Sequence, residues 1–519
     1  MIFDFIIIEV KNGFREFIKD FTKFWKFFII LMVLGLFLGL ISFSNTPALI
    51  CEDSITIFLE AKIINAYHGI PMYRWFHTPL YNYFLWIINL ATNDNTIYLK
   101  LIQIIIHILS SYIALMAFSL KIDKKMAYIS TIFYTSSYFF FYSTQIIHQE
   151  GLLELFFVLT LYFLFKYDKS HQSKNPESIW IWFASITLMI SFFIKETCLI
   201  VLSIYYLYSI LFHKTKFRDY VICAIILIIF VLPFLYVEYK QDWFIFKLYL
   251  SSEGDSFLSR ERRLEFDKWI NLILYDIISF SLCMIYIIKL VLNFTKKRKI
   301  GDFQIIALII IYYNLILIIS RSGILHMTYI IFFISFFTGP SLYYIYEKFI
   351  SKIKKTNQIN LEERYMKIKV IFIVFVILLN LCLIIPNLII LKKNKDVNIE
   401  SYLYVSSIVQ KNITYSQLHN AIGYYIENYY SDYSWYNSYK RNDFKNWSSP
   451  DVFKLTDLKN ITDYGIQMII RSNIDYANEF LKEITTNGTL ALISEKNFTL
   501  RDNYWSKPYI ITYQIYKVI

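Results

Sequence analysis

Long apolar runs recur along this chain, and they constrain its fold more than any other feature. A helix needs about 20 apolar residues to cross the ~30 Å hydrocarbon core of a bilayer, and shorter runs can span with the help of interfacial residues. The sequence therefore predicts an all-α, multi-pass membrane protein of about 11 transmembrane helices. The predicted spans are Phe27–Phe43, Ile97–Leu120, Met126–Ser143, Leu152–Phe165, Ile179–Ile194, Cys198–Phe212, Tyr220–Tyr236, Trp269–Leu292, Phe303–Ile319, Met327–Tyr346 and Val370–Leu391.

The composition agrees with a membrane location. Apolar residues make up 56% of the 519 residues, and aromatic residues alone make up 19%. Soluble globular chains are about 45–50% apolar, so lipid must solvate much of this chain. The first apolar run is too long for a signal peptide and lacks a small-residue cleavage site, so we expect it to remain as an anchor.

Basic residues mark one side of the membrane. In a soluble protein, a net charge of +12 would suggest nucleic acid as a partner. Here the cations cluster in loops after even-numbered spans, so we predict no nucleic-acid partner. The positive-inside rule places these loops, and the N-terminus, in the cytoplasm, which predicts a multi-pass plasma-membrane protein with an external C-terminus. Lys392, Lys393 and Lys395 are the exception, on the predicted external side. The cytoplasmic clusters are Lys121–Lys125, Lys166–Lys174, Lys214–Arg218, Lys296–Lys299 and Lys352–Lys369.

The polarity of the chain changes after residue 391. Residues 1–391 are predicted to form the transmembrane domain, with a large first external loop at 45–95 that holds two interfacial helices, Ser54–Tyr67 and Leu80–Leu90. Residues 392–519 are predicted to form a small extracytoplasmic α/β domain. Its predicted strands are Gly465–Ile470, Thr489–Ser494 and Tyr509–Val518, its predicted helix is Asp475–Ile484, and its Asn-x-Ser/Thr sequons are at Asn412, Asn446, Asn460, Asn487 and Asn497.

Acidic and basic residues meet at the predicted external ends of the spans. Charge at a bilayer edge is costly unless it is paired or faces a water-filled cavity, so these residues predict a membrane-embedded site. Each also has a simpler interpretation: Lys195 can snorkel to headgroups, Arg321 can anchor a span, and a histidine is more often a satisfied polar residue. The adjacent carboxylates Glu52 and Asp53 repel each other and have no evident structural use, which favours a functional role.

The order of these residues resembles the GT-C glycosyltransferases, in the branch of the protein O-mannosyltransferases and the aminoarabinose lipid A transferases. That family has an acidic pair after its first span, then Gly-x-Pro-x-Tyr and Pro-Leu-Tyr segments, an acid opening the fourth span and a lysine after the fifth. The resemblance covers about residues 24–345. It differs from the family in two places. The acidic pair is Glu-Asp here, whereas the family usually has Asp-Glu, and His77-Thr78 stand where the family usually has a lysine. The matching positions are Glu52-Asp53, Gly69–Tyr73, Pro79–Tyr81, Glu150, Lys195, Arg321 and His326.

This resemblance implies the GT-C fold and a sugar donor linked to a polyprenyl phosphate. The sugar would pass, with inversion, to a hydroxyl acceptor of unknown type on the outer face of the membrane. The lipid tail of the donor would lie in a groove between helices, and membrane lipid would be a further partner. Glu52 and Asp53 would be the catalytic residues. A divalent metal beside them is compatible with this chemistry, but none is predicted, and the cofactor stays unknown. The substrate-binding residues would be His148, Glu150, Lys195, Arg321, His326, Arg74 and His77.

Other functions remain open at this point. A transporter or flippase of lipid-linked saccharides predicts polar residues inside spans and pseudo-symmetric halves, whereas the charges recognised here lie at span ends. A structural or assembly protein would leave the external acids and bases unexplained. An oligosaccharyltransferase carries a Trp-Trp-Asp signature, which this sequence lacks. A ligase or polymerase of surface polysaccharide is a further alternative.

Overall fold

The computed structural model describes thirteen helices and five strands of the chain. The described residues are 2–44, 61, 80–93, 95–145, 148–171, 178–195, 198–212, 216–240, 273–295, 304–305, 307–309, 311, 327–356, 362–409, 414–416, 429–431, 468–472, 490–500 and 509–518.

Helices account for most of these residues. In chain order they are α1 (Ile2–Lys23), α2 (Trp25–Ser42), α3 (Leu80–Thr92), α4 (Thr96–Lys121), α5 (Lys124–Thr135), α6 (Tyr138–Thr144), α7 (Glu150–His171), α8 (Ile179–Ile194), α9 (Cys198–Phe212), α10 (Phe217–Lys240), α11 (Ile277–Thr295), α12 (Met327–Thr356) and α13 (Glu362–Val409).

Several helices are long and apolar enough to cross a membrane, so the chain is a membrane protein. Within the described ranges four helices meet this condition over at least 18 residues: Trp25–Ser42, Ile97–Lys121, Ile277–Thr295 and Lys367–Ile408. Helices α8 and α9 are apolar but shorter, and they coincide with predicted spans. Most of the predicted span Phe303–Ile319 lies outside the described residues, and the total of about 11 spans stays a prediction.

The predicted span Met126–Ser143 is not one continuous helix. The backbone breaks at Ser136 and Ser137, and Ser137 has an extended conformation. Serine side chains compete with the helical hydrogen-bond ladder by bonding to nearby backbone groups, and Ser136 Oγ donates to the Phe133 carbonyl oxygen at 3.3 Å. Asn380 of α13 donates to the same hydroxyl at 3.1 Å, so the break is stabilised by a neighbouring helix.

The chain folds into two compact units. The first comprises Met1–Ser42, Ala61–Asp94 and Tyr98–Leu388, and the second comprises Phe43–Glu60, Asn95–Ile97 and Ile389–Ile519. The core of the first unit is aromatic: Phe118, Tyr134, Phe140 and Phe332 are buried, and their ring centroids lie 4.6–6.3 Å apart in contacting pairs. Such pairs fill a core with rigid side chains.

The second unit contains the C-terminal part of α13 and a five-stranded mixed sheet. Strand β1 pairs in parallel with β2 and β3, and β5 pairs antiparallel with β3 and β4. Phe498 and Leu500 of β4, and Ile511 and Ile515 of β5, are buried. The sheet order is β2-β1-β3-β5-β4, with β1 (Thr414–Ser416), β2 (Tyr429–Ser431), β3 (Met468–Ser472), β4 (Leu490–Leu500) and β5 (Tyr509–Val518).

The strand predictions agree with this sheet in part. The predicted strand Tyr509–Val518 is confirmed as β5, while β3 and β4 overlap the other two predicted strands but extend beyond them. Parallel neighbours need a crossover connection, so β1, β2 and β3 cannot be joined by tight hairpins. The predicted helix Asp475–Ile484 lies outside the described residues, and the α/β assignment stays a prediction.

Candidate functional site

The candidate site begins where two antiparallel helices meet. Helix α7 starts at Glu150, with the Gln149 carbonyl oxygen accepting from Leu153 N at 2.9 Å, and helix α8 ends directly before Lys195. Thr160 of α7 donates to Thr187 of α8 at 2.9 Å, so the start of α7 lies beside the end of α8. This pairing brings residues 150 and 195 together.

Three of the predicted site residues form one buried cluster at this point. Lys195 Nζ donates to Glu150 Oε1, and His148 Nδ1 donates to Glu150 Oε2. The exposed fractions are 0% for Glu150, 3% for His148 and 4% for Lys195. The structure therefore brings these three predicted site residues together, and their roles stay predictions.

The local backbone explains how the cluster is built. A carboxylate in the first turn of a helix is favoured by the helix dipole, and Glu150 occupies that turn of α7. Lys195 has left the helical conformation, with φ −157° and ψ 117°, although its N–H still donates to the Ser191 carbonyl oxygen at 2.9 Å. Both oxygens of Glu150 accept hydrogen bonds from cationic or ionisable groups, which offsets the cost of burying the carboxylate.

A polar stripe on α4 faces α7 next to this cluster. Lys100, Gln103 and His107 recur at helical spacing and are 0–2% exposed. Gln103 Nε2 donates to the Tyr81 hydroxyl of α3 at 3.0 Å. A Cβ atom on Gly151 would lie 3.2 Å from Gln103 Cδ, so the glycine beside Glu150 allows α4 to approach α7 closely.

A second buried ion pair lies one helical turn further along α7. His107 Nδ1 is 2.8 Å from Glu154 Oε1, and His107 Nε2 is 3.0 Å from the Thr135 carbonyl oxygen. The imidazole also stacks on Phe140, with ring centroids 4.6 Å apart. Glu150 and Glu154 are four residues apart, so both carboxylates project from the same side of α7.

The other predicted site residues lie outside the described residues. They are the proposed catalytic pair Glu52 and Asp53 and the proposed substrate-binding residues Arg74, His77, Arg321 and His326. Their roles stay predictions. In the part of the chain that the structure describes, no three His, Cys, Asp or Glu side chains are close enough to hold a metal ion.

The sequence interpretation missed the α4 stripe and Glu154. Lys100, Gln103 and His107 lie at or inside the predicted span Ile97–Leu120, and Glu154 lies inside Leu152–Phe165. An ionisable residue within a span usually has a partner on another helix or a function. Residues 100, 103 and 107 lie on one face of a helix, and so do residues 150 and 154. This helical spacing was the signal that could have identified the two facing surfaces of α4 and α7.

Comparisons with known proteins give this architecture a context. Residues 76–237 match the family described as dolichyl-phosphate-mannose-protein mannosyltransferase. No curated protein matches the chain in sequence. The crystal structure of ArnT from Cupriavidus metallidurans bound to undecaprenyl phosphate is similar to this chain with a TM-score of 0.59 at 10% identity, over 93% of this chain and 97% of that chain.

An oligosaccharyltransferase has a related architecture. The apo structure of the Archaeoglobus fulgidus enzyme is similar with a TM-score of 0.51 at 11% identity, over 87% of this chain and 70% of that chain. At these identities the likeness concerns the fold. The segment that matches the mannosyltransferase family contains the Glu150 cluster, the α4 stripe and the His107–Glu154 pair.

Proposed function

We propose that this chain, whose resemblance to the GT-C glycosyltransferases is confirmed by its fold and its family match, transfers a sugar from a polyprenyl-phosphate donor to a hydroxyl acceptor. The observation that carries the proposal is the buried His148–Glu150–Lys195 cluster at the junction of α7 and α8, within the family-matched segment. A buried cation held by a carboxylate at a helix end is suited to bind a phosphate group.

The proposed reaction is a single displacement at the anomeric carbon. The acceptor oxygen forms a bond to this carbon while the bond to the phosphate oxygen breaks, and the leaving polyprenyl phosphate keeps the electron pair. A carboxylate of Glu52 or Asp53 takes the acceptor proton as general base. Attack opposite to the leaving group inverts the anomeric configuration.

The cluster would act on the phosphate rather than on the acceptor proton. Both oxygens of Glu150 are engaged by His148 and Lys195, so Glu150 is a poor general base and instead positions these two groups. Lys195 supplies positive charge where negative charge develops on the leaving phosphate, which is the usual way in which fixed cations lower such a barrier. Arg74, His77, Arg321 and His326 complete the proposed substrate-binding set.

The binding of a lipid phosphate by a similar fold supports this assignment. The ArnT structure that resembles this chain over nearly its full length contains undecaprenyl phosphate. We place the reaction on the outer face of the plasma membrane, with residues 1–391 as the catalytic transmembrane domain. Residues 392–519 would lie outside the membrane and position the acceptor.

The test is transfer of radiolabelled sugar from a panel of polyprenyl-phosphate sugars by the purified full-length protein, in the presence of cell membrane extract. We expect Glu52→Gln or Asp53→Asn to abolish transfer and identify the base. Lys195→Met should lower the rate by about 100-fold because a positioned cation is lost, with partial recovery in Lys195→Arg.

Lys166→Gln is the matched control. Lys166 pairs with Asp20 at 2.6 Å near the opposite end of α7, so its loss should leave the transfer rate close to that of the wild type. Equal rates in Lys195→Met and Lys166→Gln would exclude a role for the cluster. An absence of transfer by the wild type across the whole donor panel would contradict the proposed function itself.

A further inference from the structure

Helix α1 combines many charges with an exposed apolar surface. It carries eight charged residues in 22 positions, too many for a segment that lies in the hydrocarbon of a bilayer. It is separated from the first apolar helix at Phe24, whose carbonyl oxygen accepts from Phe27 N at 2.9 Å. Helix α1 is therefore an element distinct from α2.

The inner face of α1 is fixed to the ends of α7 and α8. A Cβ atom on Gly13 would lie 2.7 Å from Ile179 Cγ1, so α1 crosses the start of α8 closely. Asp20 accepts from the Tyr162 hydroxyl at 2.8 Å and pairs with Lys166 at 2.6 Å. Glu16 lies 3.6 Å from the same lysine. Two of the acids of α1 are thus directed toward one lysine of the helix bundle.

The outer face of α1 has an apolar stripe beside a row of cations. Ile7, Val10, Phe14 and Ile18 lie on one side of the helix, and Phe14 is 58% exposed. Lys11 and Arg15 lie next to this stripe, Lys19 and Lys23 continue around the helix at four-residue intervals, and all four are exposed. Lys11 and Arg15 are therefore the cations of α1 closest to the apolar stripe, on the side of the helix away from Glu16 and Asp20.

We propose that α1 lies in the plane of the membrane interface and binds anionic phospholipid. The apolar stripe enters the boundary between headgroups and acyl chains, and the row of cations contacts the phosphates. Charge selects the lipid, because Lys and Arg near a surface are attracted to anionic rather than zwitterionic headgroups. Trp25, the next residue after Phe24, is 56% exposed, as expected for a tryptophan at the headgroup level.

Lipid-specific quenching tests this surface in the full-length protein. The variant Phe14→Cys, in a Cys51→Ala/Cys382→Ala background, is labelled at the introduced cysteine with a bimane fluorophore. It is then reconstituted into phosphatidylcholine vesicles that contain a minor fraction of phosphatidylglycerol. We expect brominated phosphatidylglycerol to quench the label about twofold more strongly than brominated phosphatidylcholine at equal mole fraction. The ratio of quenching by brominated phosphatidylglycerol to quenching by brominated phosphatidylcholine should fall to about one in the triple variant Lys11→Gln/Arg15→Gln/Lys19→Gln.

The control removes three lysines from another basic segment. Lys352→Gln/Lys354→Gln/Lys355→Gln should leave the quenching ratio at the value of the wild type. A ratio of one in the wild type would overturn the proposal, and so would a label that neither brominated lipid quenches, because the stripe would then face water, a second copy or another protein. The wild-type measurement decides the matter even if a charge variant does not fold.

Discussion

At the scale of single residues, the His107–Glu154 pair is a buried contact between two helices of the first unit. Both ring nitrogens of His107 face oxygen acceptors, Glu154 Oε1 at 2.8 Å and the Thr135 carbonyl at 3.0 Å. Both ring nitrogens of His107 are thus used in contacts with the protein. The imidazole and the carboxyl are both almost fully buried, so neither group can exchange its partner for water.

Removing one partner of this pair should cost more than removing both. We expect His107→Ala to lower the free energy of unfolding by about 3–5 kcal/mol, because the buried Glu154 carboxylate loses its contact with the imidazole. The double variant His107→Leu/Glu154→Leu should recover most of this loss, because apolar replacement of both groups removes the unpaired charge. Denaturant unfolding in detergent measures both values.

His171→Ala supplies a baseline for the same measurement. His171 lies at the end of α7, where its ring contacts Tyr167 with centroids 4.4 Å apart. This histidine is not fully buried, so we expect a change below about 1 kcal/mol. If the double variant were as unstable as His107→Ala, the unpaired Glu154 carboxylate would not be the source of the loss.

At the scale of helices, α5 and α12 are joined through a proline. Pro340 lies inside α12 and has no N–H, so it leaves the Phe336 carbonyl oxygen without its helical donor. Ser130 Oγ of α5 donates to this oxygen at 3.0 Å and accepts from Gly339 N at 3.1 Å. Freed backbone groups within a membrane helix are commonly satisfied by serine in this way.

The close approach of these helices depends on Gly339. A Cβ atom there would lie 2.2 Å from the Met126 carbonyl oxygen, which is backbone and cannot rotate away. We expect Gly339→Ala to separate α5 from α12 and to lower the free energy of unfolding by about 1–3 kcal/mol. Gly39→Ala is the comparison, because its Cβ would meet only Ile104 side-chain atoms at 3.0 Å. Similar losses in the two variants would rule out the backbone contact as the cause.

At the scale of the whole molecule, the orientation in the membrane can be measured from both ends of the chain. The positive-inside pattern and an odd number of spans predict an internal N-terminus and an external C-terminal sheet. Asn12 of α1 and Asn497 of β4 are both exposed, so each can carry a single cysteine in a cysteine-free background. We expect an impermeant maleimide to label Asn497→Cys in intact cells, and Asn12→Cys only after permeabilisation. Equal labelling of both in intact cells would contradict this topology.

The boundaries of several elements follow from the sequence alone. Helices Ile179–Ile194 and Cys198–Phe212 and strand Tyr509–Val518 were predicted at the ends that the structure has. Each is delimited by local features, namely an apolar run between polar turns or an alternating pattern. Ser136 and Ser137 show the limit of this approach, because hydropathy does not register a helix break within an apolar run.

Contacts between elements depend on the tertiary structure. The sequence alone identified Glu150, His148 and Lys195 as candidates, since charge at a span end is costly wherever the span lies. Only the fold decided that Glu150 meets Lys195, 45 residues away, and that Glu154 meets His107, 47 residues away. Hydropathy reports which residues avoid water, whereas pairing depends on which faces of α4, α7 and α8 are turned toward each other, and packing of the complete bundle sets that rotation.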